Sequence, residues 1–218
     1  MVDENGNLTT KSNVPTNVVV AGNSLTYNWG NFGLASSDPD HDWYSYVKKY
    51  VTKVNSAATF NRLNFSGWEM ETNTAQRDTV FNEQLKPALS ANTDLVIVQL
   101  GDNINTSDKN ATFGSDAKKL IQNIKSVSPK ATVVWVAVWY QSYANITTDV
   151  QAAADATNSI YVPIHQISLQ SGVTSYIGAP QTDADGNTRT IDNGGRASHP
   201  GDKGHQLIAD EVIRNFDF

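Results

Sequence analysis

Three short runs of nearly uninterrupted apolar residues punctuate the chain: Val18-Val19-Val20-Ala21, Leu95-Val96-Ile97-Val98-Gln99-Leu100 and Thr132-Val133-Val134-Trp135-Val136-Ala137-Val138. Each ends in polar turn residues and leads toward a segment of helical periodicity. β-branched side chains favour extended backbone, and a strand that is apolar at successive rather than alternate positions needs cover on both faces. Trp43 to Val54 places Trp43, Val47 and Val51 at helical spacing, and Ala117 to Val127 does the same with Leu120, Ile121 and Ile124. Val150 to Ala156 also reads as helix, Ser159 to Ile164 as a fourth strand and Gly204 to Phe216 as a closing helix. Alternating strand and helix imply right-handed crossovers. The expected fold is α/β, a three-layer α/β/α sandwich on a central parallel sheet, with ligands at the carboxyl ends of the strands.

At 218 residues one core suffices, and a single domain is expected over 17–218. Residues 1–16 carry the turn formers Asp3, Glu4, Asn5, Gly6 and Asn7 and no apolar period, so they read as a flexible entry segment. A net charge of −6 without any Lys/Arg block makes nucleic acid a poor partner. The apolar runs fall well short of the roughly 18 to 20 residues that span a bilayer, so no membrane insertion is expected. With no cysteine, thiolate chemistry and disulfides are excluded. The first residues lack the basic start and apolar stretch of a secretory signal, yet the absence of cysteine suits an exported protein as well as a cytosolic one, so the compartment stays open.

Chemistry concentrates where strands end. The first run closes on Gly22-Asn23-Ser24, where glycine permits a sharp turn and serine projects from it. Asn and Ser are also ordinary cap residues. The second run closes on Gly101-Asp102-Asn103, whose Asn side chain can donate toward developing negative charge, or simply form a turn. Far along the chain, Ser198-His199-Pro200-Gly201-Asp202-Lys203-Gly204 precedes the last helix, and a histidine there can act as general base if the fold brings it to the serine. The segment from Gly172 to Ser198, rich in Gly, Asp, Asn and Thr, reads as a long loop that delivers His199.

Taken together, a serine after the first strand, Gly-x-Asn after a middle strand and His-Pro-x-x-x-Gly before the last helix resemble the SGNH hydrolases, the GDSL-type esterase family. The resemblance runs over nearly the whole chain and implies the flavodoxin-like fold of that family. It implies Ser24 as nucleophile, His199 as base, and an oxyanion hole of the Ser24 amide, the Gly67 amide and the Asn103 side chain. The glycine is taken from Asn64-Phe65-Ser66-Gly67, where Ser66 is the other position that fits, and Trp68-Glu69 marks a stretch that differs from the common pattern. No cofactor is implied.

One departure is sharper. The family usually carries aspartate three residues before the histidine, and Arg196 stands there, unable to accept a hydrogen bond or stabilise imidazolium. Either a backbone carbonyl orients His199, giving a Ser-His dyad, or Asp192 folds back as the third member. The dyad is the favoured expectation, because Gly194-Gly195 separates Asp192 from His199.

The other histidines read as structural. His205 faces outward or packs beside the closing helix, His165 follows the fourth strand, and His41 with Asp38, Asp40 and Asp42 offers weak metal-ligand spacing. Behind the serine, Tyr27 to Ser36 interleaves Trp29 and Phe32 with small polar residues, which either form a wall for sugar rings or cover the sheet, and Trp139-Tyr140 ends the third run near the same crevice. The expected activity is removal of small acyl groups, acetyl foremost, from an acylated carbohydrate. The alternatives are a lipase-like or thioesterase member of the family and a non-catalytic glycan-binding module on the same fold.

Overall fold

The computed structural model describes residues 14–28 and 30–216. Its centre is a five-stranded sheet of β1 (Asn17–Gly22), β2 (Thr59–Asn64), β3 (Leu95–Gln99), β4 (Thr132–Val136) and β5 (Ile160–Val162). The spatial order is β2-β1-β3-β4-β5, and every pairing is parallel, with Val18 opposite Phe60 on one side and Leu95 on the other.

Period-two alternation along the strands builds two cores. Val19, Ala21, Val96, Val98, Val133 and Trp135 pack with Trp68, Val80 and Phe81, with Phe113 to Ile124 and with Ile146 and Val150. Val18, Val20, Leu95, Ile97, Val134 and Val136 pack with Trp43, Val47, Val51, Ile208 and Val212 on the opposite face. The expected three-layer α/β/α sandwich is therefore the observed architecture, and each fully buried Val or Ile contributes roughly 1.5–3 kcal/mol of transfer free energy.

The first helix, α1 (Trp43–Val54), has the predicted bounds because Asp42 caps it, its Oδ1 accepting from Ser45 N at 2.8 Å. Two short helices follow β2: α2 (Gly67–Met70) and α3 (Thr74–Val80). After β3 come α4 (Ser107–Ala111) and α5 (Phe113–Val127), and α5 begins four residues before the periodic signal. Its extra turn is held by Asp116, which is buried against Arg77 Nη1 at 2.6 Å. Next, α6 (Asn145–Ala156) likewise starts early, anchored by buried Ile146 one turn before Val150.

Strand β2 escaped the apolar-run signal because it is an edge strand, paired only to β1, with Thr59, Asn61 and Asn64 exposed. After α7 (His165–Ser168), the segment read as a loop contains a hairpin of β6 (Pro180–Thr182) and β7 (Thr188–Thr190), then α8 (Gly194–Ala197). Strands of three residues are too short to show alternation. The closing helix is α9 (Asp202–Asn215). Among the described residues no helix is long and apolar enough to cross a membrane. The entry segment falls mostly on residues 1–13, outside the described residues.

Strand order positions the site. The chain leaves β1 over one face by α1 to reach β2, then returns over the other face by α2 and α3 to reach β3 on the far side of β1. Connections that diverge to opposite faces open a crevice at the carboxyl ends of β1 and β3.

Candidate active site

β1 ends at Gly22, where a Cβ would lie 2.2 Å from Thr26 Oγ1 and 2.9 Å from Gln99 O. Only glycine lets the chain turn this tightly against β3. Asn23 O then accepts from Thr26 N and Tyr27 N, both at 2.9 Å, while Asn23 Oδ1 accepts from Leu25 N at 3.1 Å. This turn sets Ser24 at the mouth of the crevice, half-buried, with Oγ 2.9 Å from His199 Nε2.

His199 arrives from between α8 and α9 and is held by its own backbone, with N donating to Arg196 O at 3.1 Å and O accepting from Ser175 N at 2.9 Å. Its Nδ1 lies 2.9 Å from Gly195 O and 3.1 Å from Tyr140 Oη. A carbonyl can only accept, so Nδ1 carries the proton and Nε2 keeps the lone pair that faces the Ser24 hydroxyl. Burial pushes the imidazole below its ordinary value, opposed by hydrogen bonding to the Gly195 and Arg196 backbone carbonyls. The ring is thus neutral and basic at neutral pH. Tyr140 stands edge-on to it with ring centroids 5.5 Å apart, and burial pushes the phenol up to about 12, so it stays protonated.

The structure does not bring Asp192 to His199. Its carboxylate accepts from Asn193 Nδ2 at 2.8 Å and Arg196 Nη1 at 3.1 Å, and the side chain is 65% exposed. Asn193 caps α8 by accepting from Arg196 N at 2.9 Å, and the single turn that follows carries the Gly195 carbonyl, not the Asp192 carboxylate, to the imidazole.

The residues expected to complete an oxyanion hole lie at the neighbouring strand ends. Asn103 follows β3, and Gly67 opens α2 after β2. Ser66 N and Oγ both donate to Asn64 Oδ1, at 3.0 and 2.7 Å, whereas the amides of Ser24 and Gly67 have no acceptor among the described residues. Between the two possible positions, Gly67 is therefore the one whose amide is available. Gly101, at φ +127°, is obligatory because a Cβ there would meet Val138 Cγ1 at 2.5 Å.

Beneath these residues lies a polar network that sequence reasoning missed. Glu69 is fully buried and accepts from Gly101 N, from Asn103 N at 3.2 Å and from Asn103 Nδ2 at 2.8 Å. Burial, with the Asp102 charge adding to it, pushes its carboxyl up to about 7. Asp102 accepts from Trp139 N, Tyr140 N, Gln99 Nε2 and Asn23 Nδ2 at 2.7–3.2 Å. The available signal was a lone glutamate between Trp68 and Met70 in a short helix, and an aspartate that local turn chemistry explained equally well.

The remaining candidates resolve individually. His205 is fully buried rather than outward-facing; it takes a hydrogen bond from Trp43 N at 3.3 Å, and burial pushes it down to about 4. His165 Nδ1 donates to Trp139 O at 3.0 Å, and His41 pairs with Asp38 at 2.7 Å. Among the described residues no group of three His, Asp or Glu could hold a metal ion. Phe32 and Trp139 are buried, so neither offers a ring face as a pocket wall: Trp139 packs in the core against the sheet and Arg189 lies over the Phe32 ring at 5.8 Å, while Trp29 lies outside the described residues.

Residues 20–207 match the sequence model of the "GDSL-like Lipase/Acylhydrolase family". No curated protein matches the chain. Among solved structures, phospholipase A1 from Streptomyces albidoflavus NA297 superposes with a TM-score of 0.60 at 13% identity, over 92% of this chain and 99% of that one. A putative GDSL-like lipase from Parabacteroides merdae gives 0.62 at 14% identity, over 92% and 95%. A family two carbohydrate esterase from Clostridium thermocellum, solved with cellohexaose, gives 0.55 at 15% identity, over 90% of this chain and 62% of that one.

Proposed function

The chain belongs to the GDSL-like lipase/acylhydrolase family, and from that premise we propose that it is a serine esterase removing small acyl groups, acetyl foremost, from carbohydrate. The observation that carries the reading is the 2.9 Å contact between Ser24 Oγ and a neutral His199 Nε2 at the strand-order switch point. Ser24 attacks the ester carbonyl while His199 takes its proton, and the imidazolium later returns that proton to the sugar oxygen as it leaves. The tetrahedral oxyanion is held by the Ser24 and Gly67 amides and the Asn103 side chain. Water, deprotonated by the same histidine, releases the acid from the acyl-enzyme.

A carbohydrate leaving group is supported by polar residues with exposed surface at and next to the site: Asn103 and Tyr140 themselves, and Tyr27, Asn28 and Asn105, which follow Ser24 and Asn103 in the chain. Amides and phenols of this kind address hydroxyl groups, whereas an acyl-chain site is predominantly apolar. The Clostridium thermocellum neighbour is a carbohydrate esterase, which agrees with this choice, while the two lipase neighbours keep a long-chain reading in view. The test compares p-nitrophenyl acetate with p-nitrophenyl octanoate, and acetate release from acetylated polysaccharide, each against Ser24→Ala. We expect kcat/KM to favour acetate by about tenfold or more. Preference for octanoate moves the protein to the lipase reading, and no turnover above the Ser24→Ala control leaves a glycan-binding module.

Three further outcomes follow from His199 and its partners. Asp192→Asn leaves kcat within about threefold, against the roughly 10⁴-fold loss seen when a triad carboxylate is neutralised. A large loss with unchanged circular dichroism would reinstate Asp192. The pH profile is the second. Because burial disfavours imidazolium, the acid limb of kcat/KM falls below the ordinary histidine value of about 6.5. Tyr140→Phe removes one acceptor at Nδ1, which destabilises imidazolium further, so kcat drops about tenfold and the acid limb moves to still lower pH. An acid limb moving upward, or no change in kcat, removes Tyr140 from the role.

A further inference from the structure

Glu69 and Asp102 form a buried pair of carboxyl groups whose ionisation no cation among the described residues supports. They share one side-chain amide, Asn23 Nδ2, which lies 3.4 Å from Glu69 Oε1 and 3.2 Å from Asp102 Oδ2. Asn23 immediately precedes the nucleophile, Gly101 and Asn103 form the loop after β3, and Trp139 and Tyr140 lead to His199. The pair therefore ties together every strand end that supplies the site. Each of these acids in a dry interior carries a desolvation cost that an apolar residue would avoid.

The two carboxyls differ in what they can hold. Asp102 accepts two donors on each oxygen, with Trp139 N and Tyr140 N on Oδ1 and Gln99 Nε2 and Asn23 Nδ2 on Oδ2, which leaves no site for a proton. Glu69 accepts three donors on Oε1 and one, Asn103 Nδ2, on Oε2. When the pair takes up a proton, Glu69 Oε2 receives it. Asp102 is the charged group acting on Glu69; of the nearby cations, Arg77 is bound to Asp116 and Lys109 holds Asn103 O at 3.1 Å.

We propose that Glu69 is a positioning residue that fixes the Asn103 side-chain amide, so that one Nδ2 hydrogen is held by the Glu69 carboxylate and the other is left for the oxyanion. The proposal rests on the esterase reading above. Its consequence is an amide whose orientation is set by the ionisation of a buried acid. In Glu69→Gln, Nε2 would face Asn103 Nδ2, donor against donor, and the amide must turn over, presenting Oδ1 where the donor stood.

The test combines kinetics with a spectroscopic measurement. With p-nitrophenyl acetate, Glu69→Gln lowers kcat by about 10²-fold with KM within about threefold, and the Glu69→Gln/Asn103→Ala double variant loses no more than Asn103→Ala alone. An unchanged kcat, or losses that multiply, overturns the proposal. Independently, the ¹H–¹⁵N resonances of the Asn103 side chain are followed from pH 5 to 9 in His199→Ala protein, where the histidine no longer titrates and no Glu69 variant needs to fold. Movement with a midpoint near 7 is expected from Glu69, and a flat titration overturns the assignment. If wild-type turnover survives Ser24→Ala, the esterase reading fails, while the Asn103 titration still decides whether Glu69 holds that amide.

Discussion

Replacing Ser24 or His199 by alanine is expected to lower kcat for ester hydrolysis by about 10⁴- to 10⁶-fold, and replacing both to lower it little further. The reason is that, in the proposed mechanism, the two side chains perform one step. Without the His199 lone pair, the Ser24 hydroxyl cannot shed its proton as it attacks; without Ser24, the imidazole has no nucleophile to activate. The 2.9 Å separation, with Nδ1 committed to Gly195 O, is the ground-state form of that unit. Steady-state rates of the three variants, each checked for folding by circular dichroism, decide the matter. Near-additive losses would mean that Ser24 and His199 act separately, and the mechanism proposed here would fall.

Asn103→Ala comes next in size, with an expected loss in kcat of about 10²- to 10³-fold and only a modest change in KM. A donor aimed at a position where charge develops stabilises the transition state more than the bound ester, so its removal appears in kcat. Neither remaining donor compensates, because the Ser24 and Gly67 amides are fixed in the backbone and cannot move into the vacated place. A KM effect with kcat unchanged would make Asn103 a substrate-binding or turn residue instead.

Much of the architecture was readable from residue order. β1, β3 and β4 are covered on both faces, so their apolarity is continuous and stands out in the sequence. α1 and the later part of α5 each bury one stripe, which leaves a helical period. β2 left no such trace because an edge strand with one partner tolerates exposed polar residues such as Asn61 and Asn64. The first turns of α5 and α6 are stabilised by tertiary contacts of Asp116 and Ile146, which outweigh weak local propensity.

The site divides along the same line. Ser24, Asn103 and His199 stood out as candidates because a strand-end turn, a second strand-end turn and a helix start, each ordinary alone, together resemble the family's pattern at three separate points of the chain. What orients His199 was not identifiable by residue type: the acceptor is the Gly195 carbonyl, and every residue has one, so only the turn of α8 selects it over the Asp192 side chain. Likewise nothing local distinguishes Glu69 from a surface glutamate, or His205 from a surface histidine. Asn23 meets Glu69 across 46 positions and Asp102 across 79, and Ser24 meets His199 across 175. The sequence determined which strands are buried and where each chemical group enters the chain, because those follow from local periodicity and turn chemistry. Burial in one low-dielectric crevice decided the charge, proton and partner of each group, and that exists only once distant strand ends have been brought side by side.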